Sequence, residues 1–508
     1  MSFMSRSAII APQEFNRWLI PPAALAIHLS IGQVYAFSVF KLPLMDFFEV
    51  REVAVGWIFS LAIGMLGLSS AVAGTWVERV GPRVSMAVAG AFWVVGFFVA
   101  TMGIYSGQLW LVYVGYGLIG GIGLGIGYIS PVSTLMKWFP DRPGLATGLA
   151  IMGFGGGALI ASPASNSLMA FFGGGNSTEQ LAAGLPQTFL TLAVLYFIVI
   201  ALGAYAIRLP HPDWRPKGYQ KSTAQEKPMQ TKGSVSANTA IRTPQFWLLW
   251  IVLFTNVTAG IGILENAAPM IGDYFPHIAA GAAAGFVGLL SLTNMGGRFV
   301  WSSVSDWIGR RNIYMVYLGV GLLMYLLIAT LGASSMAIFV IAALIILSFY
   351  GGGFATIPAY LRDLFGVYQV GAIHGRLLTA WSAAGIAGPL IVNMVVENQA
   401  ARGLEGQDLY QLSLYIMAGV LAVGFIANFL VRPVSKKHFV EPELVEAKLE
   451  ADRQAVLDAE AEAKEAGRTG GNAGGVHTAV SMVLALFIGA SLAFGLLQTA
   501  VKAAGLFM

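Results

Sequence analysis

Long apolar runs alternate with short polar joints along this chain. Between residues 17 and 431 the alternation gives twelve runs of about 20 residues or more, each long enough to cross a hydrocarbon layer roughly 30 Å thick as a helix. A thirteenth run, 476–506, follows a change of character. The longest polar joint within the first twelve, 209–244, carries Pro210, Pro212, Pro216 and Pro228 and reads as a linker between two sets of six spans, 17–208 and 245–431. The segment 432–475 is polar. Its stretch from Glu441 to Glu465, rich in Ala, Glu and Lys, predicts a short exposed helix. Gly470, Gly471, Gly474 and Gly475 then form a joint expected to detach the last span from the rest.

The two sets repeat each other. Gly74-Thr-Trp-Val-Glu78-Arg79-Val-Gly81-Pro82-Arg83 follows the second span, and Ser302-Ser-Val-Ser305-Asp306-Trp-Ile-Gly309-Arg310-Arg311 follows the eighth. Pro131 in the fourth span has its counterpart in Pro358 of the tenth, and Gly157-Ala-Leu-Ile160 in Gly388-Pro-Leu-Ile391. Duplication at half the core length implies a pseudo-two-fold axis along the membrane normal, with a site between the halves near mid-membrane. The paired loop motif resembles the signature of the major facilitator superfamily. That resemblance implies an all-α membrane protein of two six-helix bundles, here with an added thirteenth helix. Its loop charges Glu78, Arg79, Arg83, Asp306, Arg310 and Arg311 are expected to brace a closed cytoplasmic gate.

Composition agrees with a membrane protein: 56% of residues are apolar and only 11% charged. There are no cysteines, which excludes disulfides and thiolate metal sites. The net charge of +4 matters less than its placement. Arg17, Lys137, Arg142 and Arg362 join the motif arginines on one set of loops, and Arg208, Arg215, Lys217, Lys221, Lys227, Lys232 and Arg242 crowd the linker. Alternate loops hold Lys41, Arg51 and Arg402. Basic residues favour the cytoplasmic side, so the N-terminus and linker are expected inside.

Glycines recur every fourth residue at Gly117, Gly121 and Gly125, and again at Gly144/Gly148 and Gly153/Gly157, giving faces that let helices approach closely. Arg298 stands out chemically. Eight residues before Asp306, it lies about 12 Å deeper along a helix, and a charge at that depth faces a polar cavity or a partner. Its guanidinium has the geometry to grip a carboxylate. Gln33, Tyr35, Tyr128, Tyr350, Phe354 and Trp381 are the candidates to surround it, an aromatic cage suited to a small planar anion. Glu265, the repeat counterpart of Tyr35, is the candidate proton site if it faces the cavity rather than the membrane surface. His28 and His374 are weaker candidates.

The runs Gly32-Gln-Val-Tyr35-Ala-Phe-Ser38, Gly123-Leu-Gly-Ile-Gly-Tyr128-Ile-Ser-Pro131, Lys137-Trp-Phe-Pro140 and Gly296-Gly-Arg298 resemble the oxalate/formate antiporter family over roughly residues 17–431. The resemblance implies secondary transport of small carboxylates by exchange or with a proton, a multi-pass location in a bacterial-type cytoplasmic membrane, and Arg298 as the binding arginine. The family's characterised oxalate exchanger also uses a lysine in helix eleven. Here Trp381 stands at that position, which turns the expectation from dianionic oxalate toward a monocarboxylate such as formate, pyruvate or lactate. A transporter of another solute, such as a drug or neutral amino acid, and a transporter-like membrane sensor are the alternatives. The segment 432–475 is too short and simple for a sensor's output domain. No cluster has metal-ligand spacing and no nucleophile motif is present, so no enzyme activity, cofactor or nucleic-acid partner is expected. The expected partners are a carboxylate anion, protons and membrane lipid, with the chain acting as a monomer.

Overall fold

In hydrocarbon no water serves the backbone, so a chain this apolar closes its hydrogen bonds within each span. A computed structural model of the chain describes residues 9–216, 229–231, 233–278, 280–465 and 473–503. Among them the regular structure is helical, apart from one bridge between Ile10 and Leu209. The first span runs as α1 (Ile20–Ile31), a tighter 3-10 turn at Gly32–Ala36, and α2 (Ser38–Phe48). Then come α3 (Glu52–Val80) and α4 (Pro82–Tyr105). A π-helical stretch, Tyr113–Gly120, leads into α5 (Gly121–Trp138), and α6 (Pro143–Gly173) and α7 (Leu185–Ala206) complete the first half.

The second half holds α8 (Pro244–Tyr274), α9 (Ala280–Ile308), α10 (Arg310–Leu331), α11 (Met336–Phe365), α12 (Val370–Leu377) continuing as α13 (Thr379–Ala401), and α14 (Asp408–Leu430). Two more helices follow, α15 (Pro442–Glu465) and α16 (Ala473–Ala503). Among the described residues twelve helices are long and apolar enough to span a membrane, α16 included. The eighth span, α9, is not among those twelve. It is 29 residues long and carries Asn294, Arg298, Ser302, Ser305 and Asp306.

The repeat is visible in the backbone. Gly81 joins α3 to α4 with φ at 83°, and Gly309 joins α9 to α10 with φ at 88°. Both loop motifs therefore turn through a conformation that a Cβ would strain, which is why each keeps glycine there. The halves meet along two seams: α6 lies against α9, and α3 against α12 and α13. The glycine faces divide their work. Gly144 and Gly148 belong to a seam, because a Cβ on either would stand 2.1 or 2.2 Å from an oxygen of Ser302. Gly117, Gly121 and Gly125 face α3 within the first half, and Gly153 and Gly157 face the first span.

The last span is not detached. His477, Ser481, Leu484, Ile488, Thr499 and Ala503 form one buried stripe at helical spacing along α16. That stripe packs on α1, α6 and α7 of the first half and on α9 of the second. Gly495 lets it approach α6, where a Cβ would be 2.7 Å from the Leu159 carbonyl oxygen. Gly288 of α9 likewise accepts Thr499. The exposed helix α15 is tied back to the core by Arg453 with Asp213 at 3.3 Å and by Lys448 over the Tyr368 ring at 4.7 Å.

Close packing in lipid rests on contact rather than on water exclusion. A methyl on Gly157 would stand 2.4 Å from the Gly32 backbone, whereas one on Gly272 meets nothing within 4 Å. Gly157→Ala should therefore cost about 1–3 kcal/mol, and Gly272→Ala should be neutral or stabilising. Thermal melting of the purified variants checks the contrast; equal midpoints would refute it.

Candidate functional site: a buried cation among aromatic rings

Arg298 is fully buried where α9 packs on α6 of the other half. Its Nε donates to Asn294 Oδ1, one turn earlier, at 3.0 Å. Its Nη1 donates to the Ile151 carbonyl of α6 at 3.4 Å. Its Nη2 is buried with no partner, and no carboxylate among the described residues pairs with it. Gly155 makes room for the side chain: a Cβ there would stand 2.6 Å from Nε.

Rings from both halves enclose the guanidinium. Its Cζ lies 5.1 Å from the centroid of Phe354 and 6.0 Å from those of Tyr35 and Phe154. These distances are within cation–π range. Trp381 packs on Phe354 at 4.4 Å, on Tyr128 at 5.2 Å and on Phe154 at 5.3 Å. The Tyr35 and Tyr350 hydroxyls share a hydrogen bond of 3.0 Å that joins the halves. Tyr128 Oη and Trp381 Nε1, like Arg298 Nη2, are buried without a well-aligned hydrogen bond, and the Tyr128 and Tyr35 hydroxyls stand beside the guanidinium. Buried donors left open are costly unless something accepts from them. The arrangement puts a charged donor at the centre of a ring of apolar and aromatic faces, a chemistry complementary to a small anion.

Beside this cluster His28 is locked in place. Its ring stacks on Tyr128 at 5.3 Å, Nε2 meets the Tyr128 carbonyl at 3.1 Å, and Nδ1 meets the Ala150 carbonyl. His374 lies 6.0 Å from the Tyr128 ring with Nε2 buried and unpartnered. Gln33 is not part of the cluster. The Gly32–Ala36 turn points it into the first half, where Tyr116 Oη donates to Gln33 Oε1 at 3.0 Å. Glu265 falls on α8, and its side chain lies outside the described residues. Phe154 and Asn294 were not singled out from the sequence. Phe154 hides in a glycine run that reads as packing, whereas Asn294, a polar residue one turn before Arg298, was a signal within reach.

The loop charges divide into two groups. The Glu78 carboxylate accepts from the backbone N–H groups of Gly371 at 2.8 Å and Ala372 at 3.2 Å, at the start of α12. Asp306 accepts from Gly144 N–H at 2.9 Å and Leu145 N–H at 3.0 Å, at the start of α6. Each acid thus serves unpaired donors at a helix start in the opposite half, where the helix dipole favours negative charge. Arg310 supports Asp306 at 2.5 Å and reaches Asp363 at 3.4 Å. Arg83 and Arg311 instead brace their own halves. Arg83 donates to the Ala204 and Tyr205 carbonyls at the end of α7, and Arg311 donates to the Phe429 carbonyl at the end of α14. Arg79 is exposed. Of the six loop charges, Glu78 and Asp306 make hydrogen bonds that cross between the halves, Arg310 supports Asp306 from its own half, and Arg83 and Arg311 hold helix ends within theirs.

A family model described as Major Facilitator Superfamily matches residues 23–389. The chain belongs to the major facilitator superfamily. It is an integral membrane transporter and not an enzyme. The oxalate:formate antiporter of Oxalobacter formigenes is 28% identical over 429 residues, covering 84% of this chain and 96% of that protein. Apicoplast pyruvate carrier 1 of Toxoplasma gondii is 24% identical over 404 residues, 70% of this chain and 72% of the carrier. Among solved structures, the Escherichia coli fucose:proton symporter FucP superposes with a TM-score of 0.59 at 16% identity, covering 81% of this chain and 98% of FucP. The proton:xylose symporter XylE gives 0.62 at 12% identity, covering 85% of this chain and 99% of XylE. At these identities the likeness to structures of the superfamily is one of fold.

Helix-start acids of this kind contribute about 0.5–2 kcal/mol each. The Glu78→Gln/Asp306→Asn pair should therefore loosen the seams on the side of the basic loops. Because the chain has no cysteine, a single Ser302→Cys reporter can be labelled with a maleimide. Labelling should rise severalfold in the double variant, and an unchanged rate would remove the acids from the closure.

Proposed function

We propose that this transporter moves small carboxylates by alternating access, by exchange or with a proton. The observation that carries the reading is the open Nη2 of buried Arg298, set between the two halves among Tyr35, Tyr128, Phe154, Phe354 and Trp381. A carboxylate oxygen accepts from that arm and from Tyr128 Oη or Trp381 Nε1, which exchanges a buried unpaired cation for a charge-assisted pair. The Arg298 side chain touches α6 and α9 together, so filling its open arm favours the state in which the halves enclose the site.

One cation serves one carboxylate. Trp381 supplies a neutral N–H where the family's oxalate exchanger has a lysine, and this favours formate, pyruvate or lactate over oxalate. Relatives support the class: one is named an oxalate:formate antiporter and another a pyruvate carrier. The placement of Lys and Arg supports a cytoplasmic N-terminus, in a bacterial-type cytoplasmic membrane. The contacts of Glu78 and Asp306 then close the cytoplasmic side, and their release opens it.

Uptake of labelled formate, pyruvate, lactate and oxalate into proteoliposomes, with and without a pH gradient, tests the reading. Monocarboxylates should be taken up in preference to oxalate. Arg298→Ala should abolish uptake at normal incorporation, since losing a charged hydrogen-bond partner costs about 1.5–3 kcal/mol or more. Wild-type affinity in Arg298→Ala, or a preference for oxalate, would contradict it.

A further inference from the structure

Where α16 meets the first half, a second group of basic side chains is buried away from Arg298. Arg83 opens α4, Arg208 follows the end of α7, and His477 stands in the first turns of α16. Tyr205 is their hub. The His477 ring stacks on it with centroids 4.6 Å apart and planes 8° from parallel. Arg83 sits 5.9 Å from the same ring and donates to the Tyr205 carbonyl at 3.0 Å. Both arginines lie within electrostatic reach of the His477 ring.

Arg208 and His477 are only 8% and 4% exposed, yet Arg208 Nε and His477 Nδ1 have no partner. One turn further along the same face of α16, Ser481 Oγ is also buried and unpartnered. No acidic side chain among the described residues pairs with Arg208 or His477. The nearby Asp213 is engaged by His211 at 3.8 Å and Arg453 at 3.3 Å. Two guanidinium groups beside an imidazole, gathered out of water with Arg208 Nε, His477 Nδ1 and Ser481 Oγ unfilled, call for an anion. The group lies at helix ends on the membrane face rich in Lys and Arg, the depth at which lipid phosphates sit.

We propose that Arg208, His477 and Ser481, with Arg83 behind them, form a site for a phosphate group between α4, α7 and α16, and that an anionic lipid headgroup supplies it. The bound phosphate bridges α16 to the first half. Because the stripe of α16 also packs on α9, occupancy of this site holds the added helix across the seam between α6 and α9.

Native mass spectrometry of the full purified chain tests this, with phosphatidylglycerol, phosphatidylcholine or inorganic phosphate added singly. Wild type should retain one tightly held phosphatidylglycerol and far less phosphatidylcholine. The Arg208→Gln/His477→Gln variant should hold phosphatidylglycerol about tenfold more weakly or worse, and Arg208→Lys should keep most of the binding. Equal retention of the two lipids, or equal phosphatidylglycerol retention by wild type and the double variant, overturns the proposal. Inorganic phosphate that binds wild type, is lost in the double variant and blocks the lipid would keep the phosphate site and overturn its lipid source. A readout that needs no variant is the wild-type melting midpoint, which phosphatidylglycerol should raise more than phosphatidylcholine; equal shifts count against the site.

Discussion

A guanidinium held in a dry seam between two helical bundles is the constraint around which this transporter is arranged. A charge in that setting is costly unless it is matched, and the protein matches Arg298 only in part. Asn294 takes Nε, the Ile151 carbonyl takes Nη1, and the aromatic faces soften the rest. Nη2 is left open. The missing piece of the electrostatics is an anion, and on our reading that anion is the cargo. Gly155, Phe154 and Tyr35 then gain a common purpose, since each fixes how closely the first half can approach an arginine carried by the second.

The same economy governs the seams beside the basic loops. Glu78 and Asp306 occupy repeat-related positions, and each satisfies the opening N–H groups of a helix in the opposite half. These contacts join backbone to side chain across the seams, so a small separation breaks both hydrogen bonds of a pair together. Such contacts suit a device that has two arrangements rather than a continuum. Arg83 and Arg311, also repeat-related, hold the end carbonyls of α7 and α14. Each therefore ties two helices of its own half together.

Much of this was legible in the sequence, and the limits have physical causes. Span length and the repeat register disclosed the fold, because lipid leaves a chain this apolar few alternatives. Depth along the eighth span singled out Arg298, with Tyr35, Tyr128, Tyr350, Phe354 and Trp381 as candidates around it, and the structure brings these residues together. Gln33 was misdirected because the 3-10 turn at Gly32–Ala36 rotates side chains relative to a continuous α-helix. Phe154 was invisible because an aromatic in a glycine-rich helix looks like packing. The loop arginines could not be assigned from spacing alone, since their partners are carbonyls at the ends of helices more than a hundred residues away. Likewise the four-glycine joint concealed that α16 returns to lie on both halves.

The central claim is that the open arm of Arg298 is filled by a carboxylate and by its charge rather than its shape. Isothermal titration of the purified protein with pyruvate and with pyruvamide compares two solutes of nearly equal size and planarity, only one of them anionic. Our account predicts saturable binding of pyruvate and binding of pyruvamide weaker by about tenfold or more. Equal affinity for the two would show that the aromatic cage, and not the arginine, selects the cargo.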